Sequence, residues 1–295
     1  MKVPRKVYIF LVIGLIAASQ SGNIIRLGQA HPVAIAAWRL LLASVLLIPF
    51  AGRQLSTLKK LKANDWILLI LAGGALAAHF FAWIGAVQKT TVANAAMFFA
   101  VNPILTSTGD YFVFKERFTK KLSISIALGL AGVIVIGGSD IHFSREQVPG
   151  DILALICSFI FTIYFLLGKK LRRRIPTRTY VTSVYGIAAV FSFLAMLPLG
   201  LPMVSYNRQT WLCFGLMAII PTMIGHTSFN NALQYISAGR ISAATLSEPL
   251  LAGLVAYFAW GESISAGAVA GYILICGSVL VLVLDAQKSA LRFKG

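Results

Sequence analysis

Apolar blocks recur from one end of the chain to the other, separated by short polar stretches. VYIFLVIGLIAAS (7–19), VAIAAWRLLLASVLLIPFAG (33–52) and WILLILAGGALAAHFFAWIGAV (66–87) are representative. About 20 apolar residues in a helix match a hydrocarbon core roughly 30 Å thick. The pattern predicts ten spans, at 7–25, 33–51, 65–88, 92–113, 121–138, 151–168, 179–199, 210–236, 240–260 and 266–285. The connections leave no room for a soluble domain. The first block follows Met1-Lys2-Val3-Pro4-Arg5-Lys6 without a convincing small-residue cleavage site, and reads as a retained helix rather than a signal peptide.

Inside these spans the polar positions fall on stripes. Asn94, Phe98, Asn102, Thr106 and Asp110 are four apart in span 4, as are His226, Asn230 and Gln234 in span 8. Ser242, Thr245 and Glu248 are three apart in span 9, and His79 and Trp83 four apart in span 3. Spacings of three and four share one helical face. Span 1 adds Gln20 and Asn23, and span 6 adds Tyr164. Pro103, Pro221 and Pro249 each remove one ladder hydrogen bond, predicting bends in spans 4, 8 and 9. The carbonyls so freed belong to Phe99, Met217 and Thr245; each needs another partner, which a cavity supplies as water or ligand.

A shift of 146 residues aligns two stretches. Gln88, Pro103, Tyr111, Phe112 and Glu116 become Gln234, Pro249, Tyr257, Phe258 and Glu262, so both copies read Q-x14-P-x7-Y-F-x3-E. Thr119 aligns with Ser265, each placed to cap the next helix. The shift equates spans 3, 4 and 5 with 8, 9 and 10. Each half then has five spans, and an odd number inserts the second half from the opposite side. The expected fold is an all-α integral membrane protein of ten transmembrane helices, built as two inverted five-helix repeats, 1–145 and 146–295, forming one membrane domain. Inverted repeats are common among secondary transporters, whose sites lie near the midplane between the halves.

Composition sharpens this picture. Only 12% of residues are charged and 58% are hydrophobic, against about 25% charged in a soluble domain. The net charge of +17 does not point to nucleic acid, because it is sorted by side. With the N-terminus inside, 21 of the 26 basic residues fall in inside segments. Four (Arg26, Lys89, Arg145, Arg208) fall outside, and Arg39 lies within a span. The positive-inside rule then puts both termini in the cytoplasm and supports an even number of spans. Cys157, Cys213 and Cys276 are scattered through apolar segments and read as small core residues.

The midplane carries the candidate chemistry. Glu248 lies about 12 Å into span 9 and Asn102, its counterpart under the shift, about 15 Å into span 4, at 1.5 Å per residue. His79 and His226 lie at similar depth. A carboxylate there costs roughly 2.5–3.5 kcal/mol on insertion scales, so Glu248 must face protein, a watered cavity or a proton. A central cavity lined by His79, Trp83, Asn102, Tyr164, His226, Asn230 and Glu248 is expected. It suits a zwitterion, with the ammonium at Glu248 or at a carbonyl neighbouring a histidine, the carboxylate at His79 and Asn102, and the side chain against Trp83 and Tyr164. Structural roles compete: Gln88, Asn94 and Gln234 as helix glue, Asp110 as the partner of Lys115 or Arg117, and both histidines as satisfied buried groups. Arg39 either snorkels to the outer interface or pairs with an acid or carbonyls. No HExxH, GxSxG or Walker loop occurs, so neither enzyme chemistry nor ATP is expected, and no cofactor or metal. A channel is the competing transport reading.

The paired prolines, the P-x7-YFxxxE motif with its capping Thr or Ser, and Trp38-Arg39 in span 2 resemble the drug/metabolite transporter superfamily, in particular its EamA-type exporters. The resemblance covers essentially the whole chain. Glu116 and Glu262 match a frequent acidic position of that family. The chain is further similar to bacterial aromatic amino-acid exporters of the YddG type. The resemblance implies export of amino acids and related metabolites from the cytoplasm across the bacterial inner membrane. A monomer in the lipid bilayer is expected, driven either by protons through Glu248 or His79, which could titrate in a cavity, or by facilitated diffusion down a metabolite gradient. A drug or nucleotide-sugar-type exchanger of the same superfamily is the alternative it leaves open.

Overall fold

The computed structural model describes residues 3–138, 144–261 and 264–292, with side chains described except at Val92, Trp260 and 286–292. The helices are α1 (Arg5–Ser19), α2 (Ser21–Ile25), α3 (Pro32–Ala51), α4 (Ala63–Lys89), α5 (Val92–Phe99), α6 (Asn102–Phe114) and α7 (Lys120–Gly137). They continue as α8 (Val148–Leu171), α9 (Thr177–Met196), α10 (Arg208–Met217), α11 (Thr227–Ala232), α12 (Ala238–Thr245), α13 (Glu248–Trp260) and α14 (Ala266–Arg292). A 3-10 stretch, Gly52–Lys60, follows α3, and a π-helical stretch, Ala218–His226, joins α10 to α11.

Among the described residues, nine helical stretches are long and apolar enough to cross a membrane. The fourth predicted span, 92–113, is not among them; it is split into α5 and α6, of 8 and 13 residues, as the ninth, counted over Ala238–Ala259, is split into α12 and α13. The chain is an all-α, multi-pass membrane protein. Its outer surface is apolar: Phe50, Ile67, Phe112, Phe159, Phe258 and Ile273 are exposed, as a lipid-facing surface requires.

The prolines act where expected, and more sharply than as gentle bends. Helix stops at Ala100–Val101, just before Asn102-Pro103, and at Leu246–Ser247, just before Glu248-Pro249. Pro221 lies within the π-helical stretch. The freed carbonyls do not share one fate. Ser158 Oγ donates to Phe99 O at 3.0 Å, and Thr222 Oγ1 donates to Met217 O at 2.7 Å. Two of the three are thus satisfied by protein hydroxyls rather than by water or ligand. No donor among the described residues reaches Thr245 O.

Helix limits repeat at the shift of 146. The limits of α5 and α6 map onto those of α12 and α13, and the start of α7 onto that of α14. Lys115 and Gly261, also 146 apart, end α6 and α13 in the left-handed conformation at φ 59° and 68°. Thr119 Oγ1 accepts from Leu122 N at 3.1 Å and Ser265 Oγ from Ala268 N at 3.1 Å, the two caps anticipated. Glu262 lies outside the described residues.

The packing pairs are α7 with α14, α4 with α8, α3 with α9, α6 with α12, and α1 with the π-helical stretch. Small residues set the closest approach. A Cβ added at Gly271 would lie 2.7 Å from Gly132 O across the α7–α14 contact, whereas Gly267 has nothing nearer than 3.7 Å. Only one glycine of the Gly267–Gly271 run is needed for contact. Cys157 and Cys213 are buried as expected, but Cys276 is exposed on α14, among its outward apolar residues.

Candidate functional site

A cavity of about 280 Å³ opens between α1–α2, the α5/α6 break, the end of α7 and the α12/α13 break. It reaches the end of the bundle that carries Asn23, Arg26 and Gly137. A deeper lobe of about 40 Å³ continues among His79, Phe80, Phe161, His226 and Phe229. Ser21, Trp83, Phe99, Thr245 and Glu248 line both.

Glu248 is the first residue of α13, so its carboxylate sits at the positive end of a half-helix. No side chain among the described residues forms an ion pair or hydrogen bond with it, and it faces the cavity. The walls of the deeper lobe are aromatic: Trp83 and Phe99 meet edge to face at 5.4 Å, and His79 lies 4.7 Å from Phe161 and 6.1 Å from His226 between ring centroids. His79 Nδ1 is 3.1 Å from Cys157 Sγ, which fixes the ring and leaves Nε2 for another partner. His226 Nδ1 is buried without a partner.

His79, Trp83, His226 and Glu248 are therefore brought together. Asn102, Tyr164 and Asn230 line no part of this cavity. Asn102 is fully buried; its Nδ2 donates to Ser158 O at 2.8 Å and Thr162 Oγ1 at 3.1 Å, while its Oδ1 accepts from Thr106 at 3.3 Å and also from Ser242. Its depth suggested a ligand, but its amide is spent joining α6, α8 and α12. Asn230 Nδ2 donates to Tyr164 Oη at 2.6 Å and to His226 O at 2.7 Å, tying α8 to α11 below the lobe. Asn102→Ala should lower stability by roughly 2 kcal/mol, four bonds at the average of ~0.6 kcal/mol seen in membranes. A lower unfolding temperature in detergent with unchanged half-saturation for transport checks this.

Two sequence expectations need correction. Asp110 does not pair with Lys115 or Arg117. It accepts from Lys169 Nζ at 2.8 Å and from Gly239 N at 2.8 Å, and Lys169 also reaches Glu116 at 3.3 Å. The nearer bases lie past the left-handed turn at Lys115, whereas Lys169 on α8 points inward. Nor does Arg39 snorkel or pair with an acid. It is 1% exposed, its Nε donates to Thr222 Oγ1 at 2.9 Å, and its guanidinium lies 3.9 Å from the centre of the Phe80 ring. The span 4 stripe is likewise glue. Asn94 Nδ2 donates to Asp151 at 3.2 Å, and Thr106 meets Thr162 at 3.0 Å. Gln88 donates to Ala30 O and Gln234 accepts from Arg172.

The end of the bundle opposite the cavity mouth is basic and closed to the cavity; a separate pocket of about 570 Å³ lies there, beside Arg172, Arg174 and Gln234, and shares no lining residue with it. Besides Lys169–Asp110, Arg240 and Thr119 both reach Asp285, at 2.9 Å each, and Arg174 pairs with Asp65 at 2.9 Å. Arg172 bonds to Asn230 O, Ile175 O, Thr177 and Gln234. Burial pushes its guanidinium down to about 10, still charged at neutral pH. The cavity is thus continuous with one end of the bundle only, an arrangement suited to holding a small molecule rather than to open passage. Among the described residues, no group of three His, Cys, Asp or Glu could hold a metal.

The EamA-like transporter family matches this sequence twice, over residues 5–138 and again over 148–284. The chain belongs to that family. It is a membrane-embedded secondary transporter of small molecules and not an enzyme. An uncharacterized transporter of Clostridium kluyveri is 26% identical over 94% of this chain and 93% of its own length. The aromatic amino acid exporter YddG of Ancylobacter novellus is 25% identical over 73% of this chain and 75% of its own. A solved crystal structure superposes with a TM-score of 0.83 over 97% of this chain and 99% of the other at 21% identity, a likeness of fold.

Proposed function

We propose that this transporter exports amino acids, aromatic and other small ones, and related metabolites across a bacterial inner membrane by alternating access. One observation carries the reading. An unpaired carboxylate, Glu248, and Thr245, whose carbonyl no donor among the described residues reaches, flank a helix break where the cavity narrows into its aromatic lobe. Together they offer an ammonium group two acceptors, while Trp83 and Phe99 offer a side chain apolar and π surface. His79, Trp83, His226 and Glu248 form the binding wall. Asn102, Tyr164 and Asn230 hold the helices that present it. The resemblance to an aromatic amino acid exporter supports the same class of substrate.

The two halves, 1–145 and 146–295, are inverted repeats in this reading. Support comes from the double family match, the helix limits that recur after 146 residues, and the packing. Exchanging the halves turns the α4–α8 pair into that of the π-helical stretch with α1, and leaves α3–α9 and α7–α14 as self-paired contacts. With the basic end in the cytoplasm, both termini are cytoplasmic and the cavity faces outward.

A panel of amino acids, amines and acids in proteoliposomes, run with and without a pH gradient, tests the function. Saturable counterflow of amino acids is expected. Its absence across all amino acids tested would remove that substrate class, and acceleration by the gradient would assign protons as the coupling ion.

A further inference from the structure

We infer that Arg39, with His226, forms an anion site that takes the carboxylate of the transported molecule, at the deep end of the lobe whose other end holds Glu248. The inference rests on the amino-acid reading above and extends it to a group that reading leaves idle.

A guanidinium carries five N–H donors and no acceptor. Arg39 uses one, from Nε to Thr222 Oγ1 at 2.9 Å, and both Nη1 and Nη2 are buried without a partner. None of the ion pairs among the described residues involves it. Leaving a buried charge unpaired is strongly unfavourable, which is why buried cations carry counter-charges. Within a membrane such a group marks a functional site by default. The fork of two Nη groups matches a carboxylate in particular, which accepts two parallel bonds from it.

The surroundings say where that carboxylate would come from. Phe80 carries the Arg39 guanidinium on its ring at 3.9 Å and also lines the deep lobe. The same ring meets His226 edge to face at 5.0 Å, and His226 Nδ1, on a residue that lines the lobe, is also buried without a partner. A turn of the Phe80 side chain would join the guanidinium to the cavity. The lobe, about 40 Å³, has room for a group of carboxylate size, since a cavity of roughly 10–15 Å³ already holds a water. A bound amino acid would then span the site, with its carboxylate at Arg39 and His226, its ammonium at Glu248 and Thr245 O, and its side chain in the wider cavity beside Trp83.

The test uses the full-length protein in proteoliposomes with L-phenylalanine, L-phenylalaninamide and phenethylamine as competitors of labelled L-phenylalanine counterflow. The acid should compete at least tenfold better than the amide or the amine, and Arg39→Gln should abolish that preference while Arg39→Lys keeps part of it. Equal competition by acid and amide in the wild-type protein overturns the inference without needing a variant. So does an Arg39→Gln protein that keeps the full preference. A second arm stands apart from amino-acid transport: sodium benzoate, but not benzamide at matched ionic strength, should raise the unfolding temperature of the wild type and not of Arg39→Gln. Benzoate stabilisation without phenylalanine counterflow would sustain the anion site and sink the amino-acid reading. Counterflow with no acid preference would do the reverse, and loss of both signals would overturn both.

Discussion

Glu248→Gln should lower amino-acid counterflow by roughly ten- to a hundredfold, because a charge-assisted hydrogen bond lost to a neutral one is worth about 1.5–3 kcal/mol. The carboxylate takes no part in the protein's own hydrogen bonding, so its loss leaves no buried partner stranded. The amide keeps the shape and one acceptor at the start of α13. The variant should therefore fold normally and show the wild-type unfolding temperature. This pairing of large functional loss with unchanged stability separates a ligand-facing acid from a structural one. Unchanged counterflow in a folded Glu248→Gln protein would remove Glu248 from the site. A general drop in stability would mean that the residue holds the helix break together instead.

Lys169→Met should have the opposite profile. Asp110 is 2% exposed and accepts from Lys169 Nζ and Gly239 N, so it joins α6, α8 and the start of α12 at the closed end. Removing the cation strands a buried carboxylate, an error that costs roughly 3–5 kcal/mol. The single variant should unfold at a much lower temperature in detergent. A second change, Asp110→Leu in the same chain, should recover most of the loss, since exchanging a buried pair for apolar groups is often neutral. If Lys169→Met is as stable as the wild type, the pair does not hold that end of the bundle shut.

What the sequence could reveal depended on how far away the answer lay. The apolar blocks fixed the spans because lipid imposes one length on each, and the 146-residue shift anticipated helix limits and caps because those are local. Partners across the bundle were not legible. Asn102 had the right depth for a ligand, but Ser158 and Thr162, which consume its amide, lie on a helix 56 and 60 residues away. A trace of them existed: Asp151, Ser158, Thr162 and Lys169 recur at intervals of seven, four and seven, the seam of a helix packed against a polar stripe. Asp110 was misread for the same reason, since nearness in sequence favoured Lys115 and Arg117. Arg39 was misread because its fate turns on Thr222 and Phe80, residues no periodicity connects. The capture of Met217 O by Thr222 was by contrast readable, as the hydroxyl directly follows Pro221.

The three interrupted helices are not mechanically alike. Changing the angle between α5 and α6 must break the bond from Ser158 to Phe99 O, and straightening the stretch around Pro221 must break the one from Thr222 to Met217 O. Each costs about 1 kcal/mol. The break between α12 and α13 carries its own tie, since Ser247 Oγ donates across it to Ala244 O at 2.7 Å. The breaks therefore differ in where the tie comes from: α8 holds the one between α5 and α6, whereas those at Pro221 and before Glu248 are tied within their own helix, so Glu248 starts a helix whose angle a neighbouring helix does not fix through that bond.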